Sequence, residues 1–282
     1  MGQIIDGRAV ARNVKEEIKS FVNERQLKGK TIPCVASILV GEDPGSIYYQ
    51  NSQEKVAKEL GVKFEKICLP SDISEEEVLS TIKGLNDNKE VHGIILQLPL
   101  PKNFNDKNII AAISPEKDID CLTDISIGRF YQGDRCFVPC TPKSVLTLLK
   151  YYDIELEGKN AVVIGRSNIV GKPAAQLLLN ENCTITICHS RTRDLEKVCK
   201  EADILVAAIG RPNFVDNRYV KQGAVVIDVG TSSLNGKITG DVDFEKVKDI
   251  ASHITPVPGG VGALTTTLLL LNACEAARRD DN

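Results

Sequence analysis

The sequence has no C-x-x-C pair among its nine cysteines and only three histidines, His92, His189 and His253. A structural zinc site needs four clustered nitrogen or sulfur ligands, so this supply argues against a metal centre. The cysteines are odd in number and irregularly spaced, which fits reduced thiols serving as small apolar side chains and a cytoplasmic location. No apolar run approaches the ~20 residues that a membrane span requires. The N-terminal MGQIIDGRAV lacks the charged-then-apolar layout of a secretory signal. Positive charge is not in excess: 35 Lys and Arg face 38 Asp and Glu, for a net charge of −3. Nucleic acid or an acidic membrane surface would call for a basic face, so neither is an expected partner. No low-complexity tract and no solenoid period occurs.

What is present is an ordinary globular composition over 282 residues, 42% hydrophobic and 26% charged, enough for about two domains. Residues 7–24 carry apolar side chains at helical spacing, Val10, Val14, Ile18 and Val22. A buried-type strand follows at 33–40. A helix capped by Ser46 then runs to Leu60 and closes at Gly61. Residues 62–69 alternate as a strand, and Ser74 with Glu77 forms a capping box for a helix to about Asn88. GIILQLPL (93–100) reads as a strand, 106–113 as a short helix, and PEKDIDCLTD as a loop. Pro142 opens a helix to about Tyr152. The second half alternates strand and helix: NAVVIG, PAAQLLLN, TITIC, a helix over 194–202, DILVAAIG, AVVIDVG and 254–257. The closing helix spans about 263–278. Such alternation predicts parallel sheets built of α/β units, in two sets with a seam near the Pro142 helix.

The most informative stretch is NAVVIGRSNIVGKP (160–173). A β-branched strand ends in Gly165, a polar turn follows, and Gly171 and Pro173 open an apolar helix. This order presents backbone N–H groups to a phosphate. An NAD-binding unit usually places Asp or Glu at the end of the next strand, about 20 residues on, to hold the ribose 2′-hydroxyl. Here that strand ends in Cys188-His189-Ser190-Arg191-Thr192-Arg193, with no acid. Hydroxyls and guanidiniums at this place, with Arg166 in the loop itself, suit a 2′-phosphate and so point to NADP. The Pro258-Gly259-Gly260-Val261-Gly262 turn reads equally as simple turn chemistry or as a close approach to a ligand.

The helix ending at Leu60 puts Tyr49, Gln53, Val56 and Leu60 on one face. Gln53 is polar among apolar neighbours and needs a partner. Gln97 interrupts an apolar strand at the end where open α/β sheets place ligands. Asp120 lies in a loop after Asp118 and reads on its own as a solvated carboxylate. A tyrosine, two amides and a carboxylate beside a dinucleotide loop describe a small-molecule redox site without naming its substrate. A dehydrogenase of a small acid and a nucleotide-sensing module are rival readings.

Several longer stretches go further: GEDPGSIYY (41–49), HGIILQLPLP (92–101), PEKDID (115–120), PCTP (139–142), GRSNIVGKP (165–173), CHSRT (188–192), GAVVIDVG (223–230), GDVDF (240–244) and ITPVPGGVG (254–262). In this order, over nearly the whole chain, they resemble the methylenetetrahydrofolate dehydrogenase/methenyltetrahydrofolate cyclohydrolase family. The resemblance implies a cytoplasmic homodimer of two-domain α/β subunits working in one-carbon metabolism and purine biosynthesis. It implies a catalytic domain over 1–141 with 259–282, a Rossmann-like NADP-binding domain over 142–258, and a cleft between them. It also implies oxidation of 5,10-methylenetetrahydrofolate with NADP, followed by hydrolysis of the methenyl product to 10-formyltetrahydrofolate.

By position, the resemblance gives Tyr49 the task of stacking on the folate, and Gln97 and Asp120 that of holding the pterin. Leu96, Leu98, Pro258, Gly259 and Gly260 would line the folate. Gly165, Arg166 and Ser167 would bind cofactor phosphates, Ser190 and Arg191 would meet the 2′-phosphate, and Thr231 would lie beside the nicotinamide. Departures occur too. Gln53 stands where the family pattern has a catalytic Lys, and an amide cannot exchange protons near neutral pH. Lys55, two residues on, points about 200° away around the helix. Cys121 replaces a usual Gly, Thr231-Ser232-Ser233 a usual Ile-Asn-Arg, and Ala263 a usual Pro. The expectation is a working dehydrogenase whose cyclohydrolase is weak or absent.

Overall fold

The computed structural model describes residues 2–234 and 236–279. In chain order the elements are β1 (Gln3–Ile4), α1 (Gly7–Leu27), β2 (Cys34–Val40), α2 (Pro44–Leu60), β3 (Lys63–Leu69), α3 (Glu75–Asp87), β4 (Gly93–Leu96), α4 (Asp106–Ala111), α5 (Asp124–Gln132) and α6 (Cys140–Tyr151). There follow β5 (Asn160–Ile164), α7 (Gly171–Asn180), β6 (Thr184–Cys188), α8 (Leu195–Cys199), β7 (Ile204–Ala207), β8 (Val225–Asp228), β9 (Ser232–Leu234), β10 (Lys237–Thr239), α9 (Phe244–Val247), β11 (His253–Ile254) and α10 (Gly262–Arg279).

The chain divides into two compact units, Met1–Arg12 with Pro139–Thr265, and Asn13–Val138 with Thr266–Asn282. The first contains a six-stranded parallel sheet in the order β1-β11-β8-β7-β5-β6. This is the parallel sheet expected of an α/β dinucleotide fold. Strands β5, β7 and β8 are short apolar runs buried on both faces, as parallel strands covered by helices must be. Val162, Leu205, Val226 and Ile254 share one core with Cys188 and Cys199. The expected domain bounds differ from this division at both ends. Gln3 and Ile4 pair in parallel with His253 and Ile254, which puts the first residues in the nucleotide-type sheet. The other boundary falls inside α10, after Thr265 rather than before Gly259.

The second unit holds the three-stranded parallel sheet β3-β2-β4. Ile38, Ile82, Ile94 and Ile109 pack in its core, each worth roughly 1.5–3 kcal/mol of burial. The later part of α10 belongs here: Asn272 donates to the carbonyls of Ile119 (2.8 Å) and Val138 (3.4 Å).

Local differences have local causes. Helix α2 starts at Pro44, and its N-cap is Asp43, not Ser46: the Asp43 carboxylate accepts from the Ser46 amide at 2.8 Å. Strand β4 stops at Leu96 because Pro99 and Pro101 have no N–H to extend the ladder. The Ser74–Glu77 capping box is present as read. Among the described residues no helix is long and apolar enough to cross a membrane, and no cluster of His, Cys, Asp or Glu could hold a metal.

Candidate active site

In the sheet of the first unit, Ile164 and Cys188 are register partners at the carboxyl ends of β5 and β6. The Gly165 amide donates to the Cys188 carbonyl at 2.9 Å, so the two following loops leave the sheet side by side. Gly165 has φ +129°, and a Cβ there would stand 2.1 Å from the Ala208 carbonyl oxygen. A Cβ at Gly171 would stand 2.3 Å from the Gly165 oxygen. Both positions require glycine because the loop folds tightly back on the start of α7. Ser167 accepts from the Val170 and Gly171 amides at 3.2 and 3.3 Å and shapes the turn. Arg166 and Ser167 are exposed at its crest.

The segment after β6 is a tight turn. His189 donates its amide to the Thr192 hydroxyl (2.8 Å), Thr192 donates back to the His189 carbonyl (2.9 Å), and the Arg191 amide donates to His189 Nδ1 (3.1 Å). Ser190 and Arg191 are left exposed. Neither Arg166 nor Arg191 has an ion-pair partner among the described residues. Two unpaired guanidiniums at these strand ends fit an anion with several phosphate oxygens.

Two carboxylates that the sequence reading passed over organise the neighbouring loops. Asp241 is fully buried and accepts from the amides of Ile209 (2.7 Å), Gly210 (3.0 Å) and Arg211 (2.6 Å), the segment after β7. Asp228, at the end of β8, accepts from Gly230, Asp241 and Val242, each at 2.9 Å. Burial pushes the Asp228 carboxyl up to about 7. Their sequence signal was an acid ending an apolar strand and an acid in GDVDF. Thr231 is exposed just beyond. In the Pro258–Gly260 turn the Gly259 carbonyl accepts from the Gly7 amide at 2.9 Å, and Gly259 has φ +115°. A Cβ at Gly260 would stand 2.6 Å from the Pro256 oxygen. Pro258 is exposed, Gly259 half-buried and Gly260 buried.

The second unit gathers the amides. The buried face of α2 carries Ser46, Gln50, Ala57 and Leu60, with Gln53 at its margin. Tyr49, on the same face of the helix as Gln53, is 55% exposed. The inward polar residue of that turn is Gln50, which donates to the Ser37 carbonyl (3.0 Å) and Ser37 Oγ (3.1 Å). Gln97 finds the partners its burial demands: its Nε2 donates to Ser37 Oγ at 3.0 Å and to Gln53 Oε1 at 2.7 Å. Ser46 Oγ donates to the Leu98 carbonyl at 3.1 Å and so ties the start of α2 to the chain just after Gln97. Leu96 is buried, and Leu98 is 39% exposed.

Asp120 is half-buried on a turn held by Asp118, whose carboxylate accepts from Leu122 and Thr123, each at 2.9 Å. Cys121 has φ +56°, the left-handed conformation that glycine adopts most easily, which accounts for a usual Gly at this place. Burial pushes its thiol well above the ordinary value.

A parallel α/β unit with a glycine turn and unpaired cations at its strand ends, joined in one chain to an α/β unit with a buried amide network, defines a two-domain dinucleotide-binding enzyme. Residues 5–120 match the family model for the tetrahydrofolate dehydrogenase/cyclohydrolase catalytic domain, and residues 139–281 that for its NAD(P)-binding domain. The chain belongs to this family. Over 281 residues it is 63% identical to the "Bifunctional protein FolD" of Clostridium beijerinckii, covering 100% of each chain. Among solved structures it is similar to the bifunctional FolD methylenetetrahydrofolate dehydrogenase/cyclohydrolase of Campylobacter jejuni, with a TM-score of 0.97, 42% identity, and 99% and 100% of the two chains covered. It is also similar to the Trypanosoma brucei dehydrogenase–cyclohydrolase solved with NADP cofactor and inhibitor, with a TM-score of 0.94, 35% identity, and 100% and 99% covered.

Proposed function

We propose that this protein oxidises 5,10-methylenetetrahydrofolate to 5,10-methenyltetrahydrofolate with NADP, and that its cyclohydrolase activity is weak or absent. The observation that carries the second half is the 2.7 Å bond from Gln97 Nε2 to Gln53 Oε1. The residue at the family's lysine position is a neutral amide already engaged as an acceptor.

When bound, NADP supplies the hydride acceptor. Arg166, Ser190 and Arg191 hold its phosphates, and the unpaired state of both guanidiniums supports that role. Gly165 and Ser167 shape the pyrophosphate turn, and Thr231 borders the nicotinamide position. Tyr49 offers an exposed ring for stacking on the folate. Gln97 and Asp120 orient the pterin, and Leu96, Leu98 and Pro258–Gly260 border it. The methylene C–H bond breaks with its electron pair leaving as hydride, while the adjacent substrate nitrogen donates its lone pair to form the C=N⁺ bond. No protein group needs to exchange a proton, so positioning suffices.

Hydrolysis of the methenyl cation is different. Water must be activated and protons moved, which suits a titratable lysine and not an amide. The name of the Clostridium beijerinckii relative, "bifunctional", runs against this half of the reading, which rests on Gln53 alone. One preparation assayed for NADPH formation and for methenyltetrahydrofolate hydrolysis decides both halves. Reduction of NADP without hydrolysis above the uncatalysed rate is the expected result; rapid hydrolysis sinks the second half. A homodimer and a cytoplasmic location complete the proposal, by family likeness alone.

A further inference from the structure

The amide network contains two residues that the proposed chemistry does not use. Ser37 lies in the middle of β2 and is fully buried, a hydroxyl in an otherwise apolar strand. Gln50 is 2% exposed on α2. A buried hydroxyl and a buried carboxamide in a core each cost roughly 1–3 kcal/mol unless paired. Here they pair with each other, and Ser37 pairs with Gln97 as well.

The geometry is directional. Gln50 Nε2 donates to the Ser37 carbonyl, an obligatory acceptor, so the Gln50 amide can sit only one way round. Its Oε1 accepts from the Cys68 thiol at 3.7 Å, which agrees with that orientation. The same Nε2 reaches Ser37 Oγ, fixing the hydroxyl's rotamer. Ser37 Oγ then receives Gln97 Nε2, whose second N–H goes to Gln53 Oε1. Both amide hydrogens of Gln97 are thereby committed. Its Oε1 has no partner among the described residues, and no buried side-chain oxygen or nitrogen among them is left unpaired, so this oxygen reaches accessible space. Gln53 Nε2 likewise has no partner among them. The pair therefore shows the substrate one carbonyl acceptor, from Gln97, and one amide donor, from Gln53.

We propose that Ser37 and Gln50 are positioning residues that set this donor–acceptor polarity and, through it, recognition of the pterin's N–H and C=O edge. The inference rests on the functional reading above. Ser37 is the pivot, because its hydroxyl accepts hydrogen bonds from both Gln50 and Gln97. Gln50 acts through Ser37 and touches no substrate. Loss of the Ser37 hydroxyl frees the Gln97 amide to rotate, so the polarity shown to the folate is no longer fixed.

The test is steady-state kinetics of Ser37→Ala, Ser37→Thr and Gln50→Leu with methylenetetrahydrofolate and NADP varied separately, alongside melting temperatures. Ser37→Ala is expected to lower kcat/KM for the folate about tenfold, the change that one lost hydrogen bond of about 1.4 kcal/mol makes, with the KM for NADP changed less than twofold. Ser37→Thr keeps the hydroxyl and is expected to recover most of that loss. Gln50→Leu is expected to shift the folate KM in the same direction by about threefold; it decides the matter if the threonine does not fit the buried site. A fall in melting temperature with the folate and NADP constants unchanged, or changed alike, overturns the positioning role. Wild-type protein inactive with methylenetetrahydrofolate overturns the functional reading itself, and this inference with it; active wild type with unaffected variants overturns only the inference.

Discussion

An ammonium on a four-carbon stem and a carboxamide on a two-carbon stem differ in reach and in what each can do with a proton. Position 53 turns on that difference. Gln53→Lys is expected to raise methenyltetrahydrofolate hydrolysis at least about tenfold, the low end of what a placed acid or base supplies, with the dehydrogenase retained. Loss of the methenyl absorbance in the variant against the wild type measures it, and equal rates would count against the role given to Gln53. Arg191 tests the other end of the chemistry. It is exposed and unpaired on the turn after β6. Arg191→Ala is expected to raise the KM for NADP about 10- to 100-fold and leave that for NAD nearly unchanged, since a charge-assisted hydrogen bond contributes about 1.5–3 kcal/mol. Equal efficiency with both cofactors in the wild type would contradict the reading of Arg166, Ser190 and Arg191.

Elements carry the site only as far as their ends are fixed. Gly165 does this for the cofactor turn: its φ of +129° and the 2.1 Å approach of a Cβ to the Ala208 oxygen leave no room for a side chain. Gly165→Ala is expected to lower stability by roughly 3 kcal/mol or more, read as a lower urea midpoint, because a backbone carbonyl cannot swing aside as a side chain can. Elements with a strong local signal were legible in the sequence: the Ser74–Glu77 box, the glycine turn, and the β-branched runs of β5 and β8. Elements without one were not. Helix α5 begins in a stretch read as loop, although Thr123 caps it by accepting from the Ser126 amide and Gly133 closes it. The paired strands β9 and β10 have three residues each, mostly exposed, and lack the alternating apolar run from which a strand is read. The 49-53-56-60 spacing gives one face of the helix, but the buried polar residue of that turn is Gln50, with Tyr49 exposed beside it. Periodicity gives a face but not its phase when Tyr and Gln both stand near the margin.

For the whole molecule, long-range pairing was the least legible feature. Strand β1 has two residues and no pattern of its own; it exists because His253 and Ile254 offer it a free sheet edge some 250 positions along the chain. Acid–base balance is also a property of the whole. Glu59 beside Lys15, Asp203 beside Lys221 and Asp216 beside Arg218 have carboxyls held below their ordinary values, chiefly by hydrogen bonds from those cations. Their contribution to stability is present above the unfolded value and lost as pH falls through the folded one. Asp228 has the opposite sign. Its folded value of about 7 lies above the ordinary 3.8, so the folded chain binds a proton there that the unfolded chain has released. The stability linked to that proton is complete below pH 4 or so and is lost as pH rises through about 7. The melting temperature is therefore expected to decline between about pH 5 and pH 8, a range in which the three paired carboxylates stay ionised. Asp228→Asn removes the titration. The variant keeps one acceptor for the Gly230, Asp241 and Val242 amides and turns an N–H toward another, so it should melt lower at pH 5 and show a flatter profile up to pH 8. If the variant's profile declines as steeply as the wild type's, the titrating group is not Asp228.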